Sequence, residues 1–96
     1  MKFHELLMLQ VFIPSLMRKL TNDKHIVEIN ASSITELINK LDKEYPGMKQ
    51  QLTEGNLIKD GLSVVINDEI SNNPLLEHLE DGFEIHFVPT IGGGTF

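Results

Sequence analysis

Seven residues at the C-terminal end, Thr90-Ile91-Gly92-Gly93-Gly94-Thr95-Phe96, stand apart from the rest of this 96-residue chain: they hold three successive glycines and no charged side chain. No packed element is expected there, and the groups they offer to chemistry belong to the backbone. Other sources of reactivity fall away one by one. There is no cysteine, which excludes a thiol nucleophile, a thiolate zinc site, an iron–sulfur cluster and a disulfide framework. His4, His25, His78 and His86 show no pairwise ligand spacing on one helix, so surface or core-edge positions are expected for them and no metal site is read. Asp42-Lys43-Glu44 and the acids between Glu77 and Asp81 read as solvated surface, since nothing places them in a cleft. The glycine run is not a phosphate cradle either: no helix follows it to present N–H groups and no lysine lies nearby. By composition alone it is a frayed chain end.

The elements that would position this end must come from one small domain, since a chain of this length buries only about 60–65% of its unfolded surface. Hydrophobic residues at 41% and charged residues at 23% are ordinary globular usage. The longest apolar stretch, residues 6–13, is interrupted by Gln10 and falls far short of the ~20 residues of a membrane span. An early acidic residue and no small-residue cleavage site argue against a signal peptide, so a cytoplasmic setting is expected. The net charge of −6 is unevenly placed. All eight Lys and Arg lie at or before Lys59, against seven acids in that stretch, whereas residues 60–96 hold seven acids and no base. Such a surface suits a basic protein partner, or simply solubility, and does not suit nucleic acid.

Residues 6–13, stopped by Pro14, predict a central strand covered on both faces, and residues 25–30 predict a second strand paired to it as a hairpin with a longer loop. Ser33-Ile34-Thr35-Glu36 has capping-box spacing, and Ile34, Leu37, Ile38, Leu41 and Tyr45 then line one face of a helix that Pro46-Gly47 ends. A short helical extension is expected at 48–52 and a loop at 53–60. Residues 62–66 read as a strand and 69–71 as a short return strand after the Asn67-Asp68 turn. Leu75, Leu76 and Leu79 are expected to plug the core. After Asp81-Gly82 the last strand alternates, Phe83, Ile85 and Phe87 facing one way and Glu84 and His86 the other, until Pro89 ends its pairing. Met8, Phe12 and Val88 are expected to pack in the core rather than form an exposed patch. The order is that of an α+β fold, a small mixed sheet with one main helix packed across it, in residues 1–89, followed by a mobile tail in 90–96.

This layout, with Leu79-Glu80-Asp81-Gly82-Phe83-Glu84 before the last strand and Pro89-Thr90-Ile91-Gly92-Gly93-Gly94 after it, resembles the ubiquitin-like β-grasp sulfur carriers, which include the molybdopterin synthase small subunit and the thiamin-pathway carrier. Two features depart from the pattern: Phe83 stands where an acid often follows the turn glycine, and Thr95-Phe96 follow the diglycine at which most members end. The resemblance implies that Gly94 is the functional terminus. A ubiquitin-activating-type enzyme would use ATP to adenylate its carboxyl, and a sulfur donor would convert it to a thiocarboxylate for an acceptor biosynthetic enzyme. Gly92 and Gly93 would form a thin tether whose exit Pro89 and Ile91 set, with Thr90 between them. Six extended residues project about 20 Å, beyond the ~12–13 Å radius of gyration of such a domain. Because Gly94 is in a peptide bond to Thr95, the resemblance makes this sequence a pro-form from which a deubiquitinase-like metallopeptidase removes Thr95 and Phe96. Asp81 and Glu84 are candidate docking contacts to a basic activating enzyme. The chain itself needs no cofactor and is not an enzyme on this reading. The small subunit of molybdopterin synthase, a protein modifier joined through Gly94 to target lysines, and a plain β-grasp interaction domain remain as alternatives.

Overall fold

The computed structural model describes residues 8–89. The main helix, α1 (Ile34–Glu44), begins where its cap dictates: the Ser33 hydroxyl accepts the Glu36 N–H at 3.1 Å. Glu36 reaches back one residue farther than a capping box requires, its Oε1 accepting the Ser32 N–H at 2.9 Å, and Lys40 pairs with its other oxygen at 3.3 Å. Chiefly that Ser32 N–H, with help from Lys40, holds the Glu36 carboxyl below the ordinary glutamate range. Ile34, Leu37, Ile38 and Leu41 are all buried, so the apolar face predicted by spacing is the one the helix packs. Gly47, at φ +105°, turns the chain into a short second helix, α2 (Met48–Leu52), as the sequence leads one to expect.

Five strands form one sheet: β1 (Met8–Phe12), β2 (Ile26–Asn30), β5 (Leu62–Ile66), β6 (Glu69–Ile70) and β7 (Glu84–Pro89), in the order β2-β1-β7-β5-β6. β1 and β2 pair antiparallel as predicted, and β7 inserts beside β1 as its parallel neighbour, antiparallel to β5. One face of the sheet lies under α1. Leu9, Val11, Val27, Ile29, Val64, Ile66, Ile85 and Phe87 point into that core, which Leu79 closes at one end.

Several expectations are corrected. β1 is covered on one face only: Leu9 and Val11 are buried, but Met8, Gln10 and Phe12 are half-buried on the other side. Met8, Phe12 and Val88 are therefore not core residues, since a single helix leaves the second face of the sheet open. Residues 53–60 are not all loop, because β3 (Thr53–Glu54) and β4 (Leu57–Ile58) pair around Gly55-Asn56. The segment before β2 contains a 3-10 turn, Ser15–Thr21, anchored by buried Met17 and by Thr21, whose hydroxyl donates to the Lys24 carbonyl at 2.9 Å. Of the three plug leucines, Leu79 is fully buried and Leu75 packs against the core, but Leu76 is 82% exposed because the 3-10 turn Pro74–Leu76 points it outward. Pro89 still stands opposite Leu62 in the ladder, one residue beyond where its missing N–H was expected to end pairing.

Candidate functional site

The C-terminal run Thr90–Phe96, with Gly92, Gly93 and Gly94, lies outside the described residues; what the structure defines is the surface from which it departs. β7, third of the five strands in the sheet, runs beyond its last pairing with β1 at Phe12 and ends at exposed Pro89, opposite Leu62 of β5. The open face beside that exit can be reconstructed from strand register, because side chains alternate and partners in adjacent strands share a face.

Ile26 pairs with Phe12, Phe12 with His86, His86 with Val65, and Val65 with Ile70. These five residues, one from each strand, form a single row across the whole open face. Four are apolar and the fifth, His86, lies stacked on Phe12 with ring centroids 4.0 Å apart. Ile26 and Ile70 are exposed at the two ends. Two residues back along β7 the next row is Glu84–Gln10–Glu28, acidic at both ends. Two residues forward stand Val88 and its partner Ser63, immediately before the exit at Pro89. The face is thus banded: an acidic row, then an apolar row, then the departing chain.

Glu84 is exposed in the acidic row, its backbone N–H held by Asn67 Oδ1 at 2.8 Å, and its side chain is available to a partner. Asp81 is engaged otherwise. Its Oδ1 accepts the Met8 N–H at 2.9 Å, so this carboxylate pins the start of β1 to the turn before β7. His25 and His78 are exposed and His86 is half-buried, as surface and core-edge positions require, while His4 lies outside the described residues. Among the described residues no three metal-ligating side chains converge, and no helix is long and apolar enough to cross a membrane.

Sequence reasoning missed one feature of this face. At the end of β1 nearest the exit, Arg18, His25 and His86 line one open depression of about 430 Å³ together with Phe12, Pro14 and Ile26. Arg18 is held there by its Nε, which donates to the Ile13 carbonyl at 3.0 Å. His25 and His86 are 61 positions apart in sequence, and the β1–β2 hairpin together with the parallel β1–β7 pairing brings them to one place.

Comparison with known proteins agrees with this architecture. One chain of the complex of BexX and CysO from Amycolatopsis orientalis superposes with a TM-score of 0.80 at 26% identity, over 90% of this chain and 99% of that one. CysO of Mycobacterium tuberculosis, an antigen, gives 0.79 at 20% identity, over 86% and 99%. Small archaeal modifier protein 1 of Methanosarcina acetivorans gives 0.77 at 17% identity, over 95% and 100%. No protein of curated function matches the chain. Residues 11–94 match the sequence profile of the ThiS family. The chain therefore belongs to the ThiS family, and its fold is the ubiquitin-like β-grasp of sulfur carriers and protein modifiers.

Proposed function

We propose that this chain is a sulfur carrier, made as a pro-form, whose reactive group is the backbone carboxyl of Gly94 after removal of Thr95 and Phe96. The observation that carries this reading is the family match, which runs through Gly94 and leaves only those two residues outside it on that side. The cysteine-free composition agrees, because sulfur then has to be carried at a backbone terminus. Residues 1–89 are the body and residues 90–96 the delivery arm.

The chemistry is a two-step exchange at one carbon. In the active site of an adenylating enzyme of the ubiquitin-activating type, the Gly94 carboxylate oxygen attacks the α-phosphorus of ATP and pyrophosphate leaves. The resulting acyl-adenylate is a mixed anhydride, and sulfide (HS⁻) released by a sulfur donor attacks its carbonyl carbon, forming a C–S bond as AMP departs and leaving a thiocarboxylate at Gly94. An acceptor biosynthetic enzyme then takes the sulfur. The chain catalyses neither step. Its contribution is a tether without side chains at Gly92, Gly93 and Gly94, which enters a narrow cleft where a Cβ would obstruct, with Ile91 and Pro89 directing it and Thr90 between them. The banded face supplies the docking surface, with Glu84 facing basic groups of the partner, while Asp81 holds the start of β1 through its bond to the Met8 N–H. A metallopeptidase must first free Gly94, because an amide carbonyl cannot be adenylated.

Pyrophosphate exchange tests this. A chain ending at Gly94 supports ATP–pyrophosphate exchange by the adenylating enzyme, and the full chain does so only after peptidase treatment. Exchange by the untreated full chain at the same rate, or by neither form, overturns the proposal.

A second reading is favoured by the likeness to small archaeal modifier protein 1. There the same adenylate would be captured by a lysine amine, giving an isopeptide bond. Higher-mass conjugates on a denaturing gel, absent when Gly94 is replaced, distinguish it from sulfur transfer.

A further inference from the structure

The depression lined by Arg18, His25 and His86 is unlike the rest of this protein. The chain carries −6 overall and its open sheet face has acids at both ends of the Glu84–Gln10–Glu28 row, yet this depression has three basic side chains and no acidic one. Among the described residues the ion pair is Lys40 with Glu36, on α1, so no carboxylate there neutralises Arg18. The Arg18 guanidinium is half-buried and is oriented by its Nε bond to the Ile13 carbonyl, which leaves the terminal amino groups as donors in a fixed plane. His86 is held in orientation by its stack on Phe12, and His25 stands exposed at the start of β2. Phe12, Pro14 and Ile26 give the depression an apolar surround. A planar cationic fork and imidazole donors on an apolar floor are the complement of a carboxylate carried on an apolar surface.

We propose that this depression is an anchoring site for an acidic side chain of the partner protein that docks on the open sheet face. It rests on the carrier reading above in taking the docked partner to be the enzyme that receives the tail. The partner's surface is then specified in order along β7: a basic group over Glu84 and Glu28, an apolar ridge over the Ile26–Phe12–His86–Val65–Ile70 row, and an Asp or Glu in the depression beside the exit at Pro89. Charges of opposite sign on the two sides of an apolar row admit one docking direction and penalise the reverse, in which like charges meet. The carboxylate anchor thereby fixes how the end of β7 at Pro89 is presented to the partner.

The test has two independent parts. In the first, the ¹⁵N-labelled full chain is titrated with N-acetyl-Leu-Asp-Leu-amide and, separately, with its Asn counterpart. The expected result is saturable shifts at Phe12, the Arg18 side-chain Nε–H, His25 and His86, with binding about tenfold weaker for the Asn peptide and weakened likewise by His25→Ala. His25 is exposed, so that variant folds even if Arg18→Ala does not. Equal affinity for the two peptides, or shifts centred elsewhere, overturns the proposal. In the second part, His25→Glu raises the KM of the chain ending at Gly94 in adenylation by about tenfold with kcat unchanged; an unchanged KM overturns it. Failure of the unsubstituted chain to be adenylated would instead defeat the carrier reading, and the peptide titration would still decide the depression.

Discussion

The ring of Phe12 lies flat on that of His86, with centroids 4.0 Å apart and planes 7° from parallel, across the parallel junction of β1 and β7. This contact sits on the open face, directly behind buried Ile85 and Phe87 on the same strand. Its energetic weight should accordingly differ from theirs. His86→Ala removes a half-exposed aromatic pair and is expected to cost about 0.5–1.5 kcal/mol. Phe87→Ala opens a cavity under α1 and is expected to cost about 3–5 kcal/mol. Urea denaturation with unchanged m-values measures both, and equal losses would mean that His86 belongs to the core.

Asp81 and Glu84, both candidate docking acids by sequence, are expected to separate on substitution. Asp81→Ala deprives the Met8 N–H of its acceptor and should lower stability by about 1 kcal/mol. Glu84→Ala leaves the backbone bond to Asn67 intact and should stay within about 0.5 kcal/mol of the parent. Glu84→Ala should instead weaken association with the adenylating enzyme, and the difference should shrink as salt is raised. Thermal denaturation and a binding isotherm at two ionic strengths check the pair.

At the start of α1, Glu36 makes stability depend on acid. Its folded pKa lies below the ordinary glutamate value, first because of the Ser32 N–H and then because of Lys40, so its ionised form favours the folded chain. That increment is complete above the unfolded pKa of about 4.3 and is lost as pH falls through the lower folded value. The stability gap between the parent chain and Glu36→Gln should therefore be widest near neutral pH and narrow below about pH 4. Because the side chain is about two-fifths exposed, the gap should also be small and salt-sensitive. Denaturant titrations at a series of pH values measure it.

The parts of the fold legible in sequence are those fixed by local rules. The Ser33 cap and the spacing of Ile34, Leu37, Ile38 and Leu41 specify α1 without reference to anything distant, and the alternation of Ile85 and Phe87 with Glu84 and His86 specifies β7. What was not legible depends on pairing across the chain. Phe12 and Val88 are apolar and read as core, but only the single-helix layer above Leu9 and Val11 decides that their face stays open. The β3–β4 hairpin was within reach: Gly55-Asn56 is a two-residue turn signal, obscured because each strand is only two residues long. The Arg18–His25–His86 depression had no local signal, since the β1–β2 and β1–β7 registers together create it.

The proposed cargo-bearing group is the backbone carboxyl of Gly94, and its decisive test is intact-mass measurement after co-expression with the adenylating enzyme, a sulfur donor and the processing peptidase. The predicted result is loss of Thr95 and Phe96 together with the mass gain of one oxygen exchanged for sulfur, and absence of both changes when Gly93 and Gly94 are replaced by valine. Retention of the full chain with no exchange, or equal loading of the valine variant, would contradict it.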